Sequence, residues 1–122
     1  MVRGIRGAIT VPQDTPAAIH QATRELLEQI LEQNQILDFS ELAAVIFTLT
    51  PDLSSAFPAE AARALGMLQV PLISSSEIPV PGSLAKVLRI LLLWNTDLRP
   101  EQVRHVYLRE AKVLRPDLNS AQ

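Results

Sequence analysis

Apolar residues along this chain form several short continuous runs and one longer helical pattern. The helical pattern begins after Thr15 and Pro16, which suit the N-cap and the first helical position, and it continues to about residue 34. Within it, apolar side chains recur at three- and four-residue spacing at Ile19, Ala22, Leu26 and Ile30. We therefore expect one long helix whose apolar stripe packs against a sheet, with His20 on its exposed side.

The short apolar runs predict strands, because runs of this length bounded by Pro, Gly or Ser are typical of strands. The expected strands cover residues 2–11, 43–50, 70–73 with a polar end at 74–77, 86–94 and 103–108. An Ala-rich segment after Pro58 predicts a short helix between the second and third strands. This order indicates an α+β fold, with a mixed sheet of about five strands and one long helix.

The length of the chain, 122 residues, predicts a single domain that spans residues 1–122. The segment 111–122 has weak periodicity, and we expect it to be mobile, as chain ends often are. One face of the predicted sheet has no second long helix to cover it. We expect another subunit to cover that face, which makes the chain a homo-oligomer.

Composition argues against several classes of function. The net charge is −2 and the arginines are scattered, which does not favour a nucleic-acid partner. The chain has no Cys and only two His, in different elements, so we expect no metal site. No glycine-rich phosphate loop or dinucleotide fingerprint is present, and we expect no cofactor.

Hydropathy argues against a membrane partner. No apolar stretch approaches the ~18 residues of a membrane span, and the N-terminus lacks the apolar region of a signal peptide. The expected location is the cytoplasm.

The most apolar run, 86–94, contains one charged residue, Arg89. We interpret the run as a strand that is buried on both faces near the middle of the sheet. An unpaired guanidinium there would cost several kcal/mol of desolvation. Two explanations stay open at this point: a structural arginine paired with an internal Asp or Glu, or an arginine that meets an anion from outside.

Further polar residues lie on or near the other predicted strands. Arg6 shares a strand face with Gly4, Ala8 and Thr10, which leaves space beside it, although glycines can equally mark a bulge. The third strand ends in three serines and Glu77, an arrangement that a simple serine turn also explains. The remaining candidate donors are Arg63, Tyr107 and Arg115.

This set offers many donors and one acid, and it contains no nucleophile with a base placed to activate it. It suits a small polyanion, particularly a dicarboxylate, because arginine matches the geometry of a carboxylate in a bidentate manner. Any reaction at such a site would depend on orientation and electrostatics.

Five short stretches carry a resemblance to a known family. They are residues 2–8 (VRGIRGA), 50–53 (TPDL), 56–59 (AFPA), 104–108 (RHVYL) and 114–118 (LRPDL). In order and spacing, over nearly the whole chain, they resemble the AroH-class monofunctional chorismate mutases. The resemblance implies a homotrimeric pseudo-α/β barrel with active sites at subunit interfaces. It also implies isomerisation of chorismate to prephenate, a committed step towards phenylalanine and tyrosine.

The resemblance also implies roles for individual residues. Arg89 would donate to the ether oxygen of the breaking bond and to a substrate carboxylate. Arg6 and Tyr107 would hold carboxylate, and Glu77 would accept from the ring hydroxyl. Other residues would complete the site: Ile73, Ser74, Ser75 and Ser76 along the pocket, Phe57, Ala59 and Arg63 from a neighbouring subunit, and Leu114 and Arg115 from a tail that closes over it.

Two positions depart from the family pattern. Glu60 stands where some relatives carry Lys, and Ser74 stands where some carry Cys. Two alternative functions are a non-catalytic trimer that binds carboxylate metabolites and an enamine or imine hydrolase with a similar trimeric fold, which no motif here supports.

Overall fold

The computed structural model of the protein describes residues 1–114. Its centre is a sheet of five strands: β1 (Val2–Thr10), β2 (Leu42–Leu49), β3 (Leu72–Ser76), β4 (Val87–Asn95) and β5 (Val106–Leu108). Two α-helices, α1 (Pro16–Gln33) and α2 (Ala59–Ala64), are accompanied by 3₁₀ turns at Phe39–Glu41, Pro100–Gln102 and Arg109–Leu114. The predicted α+β fold with five strands and one long helix is confirmed.

The strand order is β3-β2-β4-β1-β5. Strand β4, which carries the most apolar run, lies in the middle and is antiparallel to both β1 and β2. The outer pairs, β2 with β3 and β1 with β5, are parallel. The sheet is therefore mixed, as predicted, and its two outer strands are also its two shortest.

Helix α1 packs on one face of the sheet. Thr15 caps it by accepting a hydrogen bond from the backbone N–H of Ala18 at 3.2 Å. Gly7 of β1 allows close approach, because a Cβ there would lie 2.8 Å from Ile30 and 3.2 Å from Leu26 of the helix. The predicted apolar stripe is the buried face of α1. Within residues 1–114, no helix has the length and apolarity needed to cross a membrane.

The prediction that the run 86–94 is buried on both faces is wrong for the single chain. Leu88 and Leu92 are fully buried on the face that α1 covers. On the other face the Leu91 side chain is 38% exposed, and the Arg89 side chain is 27% exposed. The sheet has a helical layer on one side only, so this strand alternates between a covered face and a partly open face. We call the open side the site face.

Two predicted strand boundaries also differ. Strand β5 covers only Val106–Leu108 instead of 103–108, because residues 100–102 form a 3₁₀ turn that delays the start of the ladder. Strand β3 starts at Leu72 instead of residue 70. Pro71 lies before it and contributes only its carbonyl, which accepts a hydrogen bond from Val45 at 2.9 Å.

The first residues of the segment predicted to be mobile, 111–114, belong to the 3₁₀ turn Arg109–Leu114, and its mobility stays a prediction. Ala111 is fully buried and packs with Ala8 and Val87 on the site face. Arg109 anchors the same segment: its guanidinium donates to the Thr10 carbonyl at 3.0 Å and pairs with Glu25 at 2.9 Å. The rest of the predicted mobile tail, 115–122, lies outside the described residues.

Candidate active site

Four of the predicted site residues line one cavity of about 270 Å³ on the site face: Arg6, Glu77, Arg89 and Tyr107. The sheet register explains why residues so far apart in sequence meet. Ala8 of β1 pairs with Arg89 of β4 on one side and with Tyr107 of β5 on the other. Paired residues point to the same face of a sheet, so Arg89 and Tyr107 flank a small residue.

Arg89 lies close to an internal carboxylate without forming a hydrogen bond to it. Its Nε is 3.4 Å from Oε2 of Glu77, and the two side chains are 27% and 22% exposed. Among the described residues, this Nε is buried and has no hydrogen-bond partner. Glu77 thus provides the carboxylate that the structural explanation of Arg89 required. Arg89 nevertheless also lines the cavity, where the rest of its guanidinium can meet an anion.

Glu77 is held at the end of β3 by both its backbone and its side chain. Its backbone N–H donates to the Leu49 carbonyl at 2.8 Å, which continues the β2–β3 pairing by one residue. Its Oε2 also accepts a hydrogen bond from the Thr48 hydroxyl. Sequence reasoning missed Thr48, although the two-residue period of a strand places it and Thr50 on one face.

The TPDL stretch positions the start of β4 and so supports Arg89. The Asp52 carboxylate accepts from the backbone N–H of Lys86 at 3.0 Å, where the backbone has a φ of 52°. The Thr50 hydroxyl accepts from the backbone N–H of Val87 at 3.0 Å. These contacts anchor the residues that precede Arg89 in the strand.

A larger cavity of about 590 Å³ adjoins the first one and shares Glu77 and Arg89 with it. Leu114, at the end of the described chain, lines this cavity together with Val113. The structure therefore brings Leu114 to the two charged residues. Arg115, the other predicted contribution of the tail, lies outside the described residues.

The predicted stretch from Ile73 to Ser76 forms most of β3 but lines neither cavity. Strand register divides its side chains between the two faces. Ser75 pairs with Thr48 and lies on the site face, whereas Ser74 pairs with the buried Phe47 and points to the helical layer. The contribution of this stretch to a site stays a prediction.

Within residues 1–114, no group of three or more His, Asp or Glu side chains is placed to hold a metal ion. The site thus combines cations, a phenol, a carboxylate and hydroxyl groups on a partly open sheet. Such a set can bind and orient an anion and can stabilise negative charge on it.

The family model for chorismate mutase type I matches residues 2–118. The chain belongs to this family.

Similar proteins agree with this assignment. The chain is 70% identical over 122 residues to chorismate mutase AroH of Thermus thermophilus, covering 100% of both chains. It is 44% identical over 120 residues to chorismate mutase AroH of Bacillus subtilis (strain 168), covering 98% of this chain and 94% of that protein. A solved chorismate mutase structure from Clostridium thermocellum superposes with a TM-score of 0.87 at 44% identity, covering 90% of this chain and 97% of the other.

In this chorismate mutase family member, the three residues predicted to act from a neighbouring subunit lie away from both cavities. Phe57 is 68% exposed and lines a separate hollow with His20 and Glu60. Ala59 begins α2 and is buried, and Arg63 lies on the exposed side of α2. Within one chain they do not join Arg89, so a role at the site requires a second copy.

Glu60, which departs from the family pattern, contacts the long helix. Its Oε2 lies 3.2 Å from Nε2 of His20. His20 was predicted to lie on the surface, and it is partly exposed with this acidic neighbour. The negative charge at position 60 is therefore directed to α1 in the single chain.

His105 connects the start of β5 to Arg6. The backbone N–H of Arg6 donates to Nδ1 of His105 at 3.0 Å, so this nitrogen must be unprotonated. Partial burial of the ring, followed by the charge of Arg6, lowers the pKa of His105 below its ordinary value of 6.5. The imidazole is therefore neutral at neutral pH and holds two strands of the site together.

We expect His105 to make folding stability depend on pH. Below the ordinary pKa of 6.5, the unfolded chain binds a proton at His105 that the folded chain still excludes. The free energy of unfolding therefore falls as the pH falls through this window. In His105→Asn, Oδ1 can accept the same bond without titrating. Urea unfolding at about pH 7.5 and about pH 5.5 should show a smaller difference for the variant than for the wild type.

The other histidine provides a matched control. His20→Asn removes the other imidazole, which lies on α1 beside Glu60, and should leave the contribution of His105 intact. The same loss of stability on acidification in the wild type and in His105→Asn would contradict the assignment to His105.

Proposed function

We propose that this chain isomerises chorismate to prephenate. The observation that carries the proposal is the placement of Arg89, Arg6 and Tyr107 around one cavity. Membership of the chorismate mutase type I family supports the choice of substrate. The reaction is a step in the biosynthesis of aromatic amino acids.

The rearrangement of chorismate suits a site that is lined by hydrogen-bond donors. In this [3,3] rearrangement an ether C–O bond breaks while a C–C bond forms within the same molecule, and no proton needs to be transferred. The flexible dianion must be held in a compact chair, which is a task of orientation. Negative charge grows on the ether oxygen as the C–O bond lengthens. A fixed donor aimed at that oxygen stabilises the transition state more than the ground state.

Arg89 is the residue we assign to the ether oxygen. Its Nε lies 3.4 Å from Oε2 of Glu77, and we assign its Nη nitrogens to the ether oxygen and to a substrate carboxylate. The neighbouring carboxylate and the anchored start of β4 restrict the guanidinium. A preorganised cation costs little reorganisation at the moment of reaction.

The other residues of the cavity bind and orient the substrate. Arg6 and Tyr107 hold carboxylate oxygens from the β1 and β5 side of the cavity. Glu77 accepts from the ring hydroxyl through Oε1, since its Oε2 already contacts Thr48 and Arg89. Ser75 contributes a hydroxyl group from β3, and Ser74 contributes backbone groups.

We also propose that the active form is a homotrimer with sites between subunits. The site face carries apolar side chains that a monomer leaves in water: Ile73 is 63% exposed and Leu91 is 38% exposed. A neighbouring copy that covered this face would bring Phe57, Ala59 and Arg63 of its α2 region to the cavity. The pseudo-α/β barrel would form from the sheets of the three copies. The expected location is the cytoplasm.

The direct test is to follow the loss of chorismate absorbance with purified protein and to identify the product as prephenate. We expect acceleration over buffer without added metal or cofactor. An uncatalysed rate in the presence of micromolar protein would overturn the proposed function.

A further inference from the structure

Thr48 lies at the centre of the charged part of the site face. In the sheet register it pairs with Arg89 of β4 on one side and with Ser75 of β3 on the other. Its hydroxyl donates to Oε2 of Glu77, which directly follows β3. Thr48 is thus the residue of β2 that joins the two charged residues contributed by its neighbouring strands.

The contacts of Glu77 are concentrated on one oxygen. Oε2 accepts from the Thr48 hydroxyl and lies 3.4 Å from Nε of Arg89. This arrangement leaves Oε1 for a ligand in the cavity.

Without the hydroxyl, the Glu77 carboxylate could pair with Arg89 in a different geometry. A glutamate side chain has several rotatable bonds, and a carboxylate beside an arginine favours bidentate pairing with two N–H groups. Such pairing in the empty site would occupy the Arg89 donors that a ligand needs. The Thr48 hydroxyl opposes pairing with the two Nη groups, because the oxygen that it holds, Oε2, stays beside Nε.

We propose that Thr48 is a positioning residue, which acts through Glu77 to keep the Nη donors of Arg89 and Oε1 of Glu77 directed at the substrate. The inference rests on the proposed function, because it concerns the geometry in which that reaction takes place. Thr48 itself need not touch the substrate.

The test begins with Thr48→Val, which keeps the shape of the side chain and removes the donor. A hydrogen bond to a charged group is worth enough to change a rate by about tenfold or more, and we expect kcat to fall by that factor. KM should change less, because Arg6 and Tyr107 still bind the substrate. Thr48→Ser restores the donor and should recover most of kcat. Thr96→Val, which removes a hydroxyl next to Leu98 outside the site, should match the wild type.

A double-mutant cycle shows whether Thr48 acts through Glu77. In a Glu77→Gln background, Thr48→Val should cause little further loss of kcat, because the carboxylate that it orients is already gone. The same cycle measured by urea unfolding should also show coupling between the two positions, and this readout does not depend on activity.

The outcomes separate the two proposals. If the wild type does not accelerate the loss of chorismate, the proposed function fails, and the positioning role of Thr48 fails with it. If the wild type is active and Thr48→Val has the same kcat, the positioning role alone is overturned. Full additivity of Thr48→Val and Glu77→Gln in kcat, or a loss in Thr48→Val that Thr48→Ser does not recover, also overturns it.

Discussion

Replacing Arg89 with methionine is expected to lower kcat by about 10²-fold or more while the protein stays folded. Methionine keeps much of the side-chain volume of arginine and removes the charge and all of the donors. Removal of one preorganised donor from a developing oxyanion typically costs about 2.7–4 kcal/mol. The measurement is kcat for chorismate, with the oligomeric state and the unfolding curve recorded on the same samples.

Arg3 provides the control for this prediction. It belongs to the same strand as Arg6 but lies on the opposite face of the sheet, and its Nε donates to the Leu98 carbonyl at 2.8 Å. Arg3→Met removes the same charge without changing the cavity, so its kcat should stay near that of the wild type. Equal activity of Arg3→Met and Arg89→Met would show that Arg89 is not the residue that meets the ether oxygen.

Two inactive variants are expected to recover activity when their subunits are combined. Arg89→Met would inactivate the sheet side of a shared site, and Arg63→Ala would inactivate the side contributed by the neighbouring copy. In a mixed trimer, some interfaces combine an intact Arg89 with an intact Arg63. Co-expression of the two variants with different tags, followed by isolation of the mixed species, should therefore give activity well above that of either variant alone.

A second pair of variants tests the geometry of this result. Arg6 and Arg89 line the same cavity within one chain, so every site in a mixture of Arg6→Ala and Arg89→Met contains at least one defect. This mixture should stay as inactive as its components. Recovery in both mixtures, or in neither, would contradict sites that are shared between subunits through Arg63.

The sequence was sufficient to predict elements whose signal is local. Helix α1 follows from Thr15, Pro16 and an apolar stripe, and it begins at Pro16 and ends at Gln33, close to the predicted end. The short helix after Pro58 likewise occurs at Ala59–Ala64. Caps, prolines and periodicity act within a few residues, so their effects can be inferred without knowledge of the rest of the chain.

The candidate site could be predicted only in part, because some of its residues are recognised only by contacts with residues distant in the sequence. Arg89 was noticeable because a charge within an apolar run is costly, and Arg6, Glu77 and Tyr107 were candidates from the predicted strands. The family resemblance supplied their roles. Thr48 carried no such signal, because threonine is common in strands. Its role can be inferred only from its contact with Glu77. Its importance depends on a contact between residues 29 positions apart.

The tail shows the same dependence on distant contacts. The weak periodicity from residue 111 gave no sign that Ala111 is buried against Ala8, or that Arg109 is held by Glu25 and the Thr10 carbonyl. These partners lie far away in the sequence. A local pattern cannot report them.

The sequence by itself determined the number and kind of elements, the stripe by which α1 packs, and the family. Only the tertiary structure decided the strand order, the face on which the site lies, and the gathering of Arg6, Glu77, Arg89 and Tyr107 around one cavity. The physical reason is that hydrophobic periodicity and capping are local, whereas strand pairing and charge contacts join residues that are distant along the chain. Strand pairing and charge contacts stabilise the protein only once the sheet has formed.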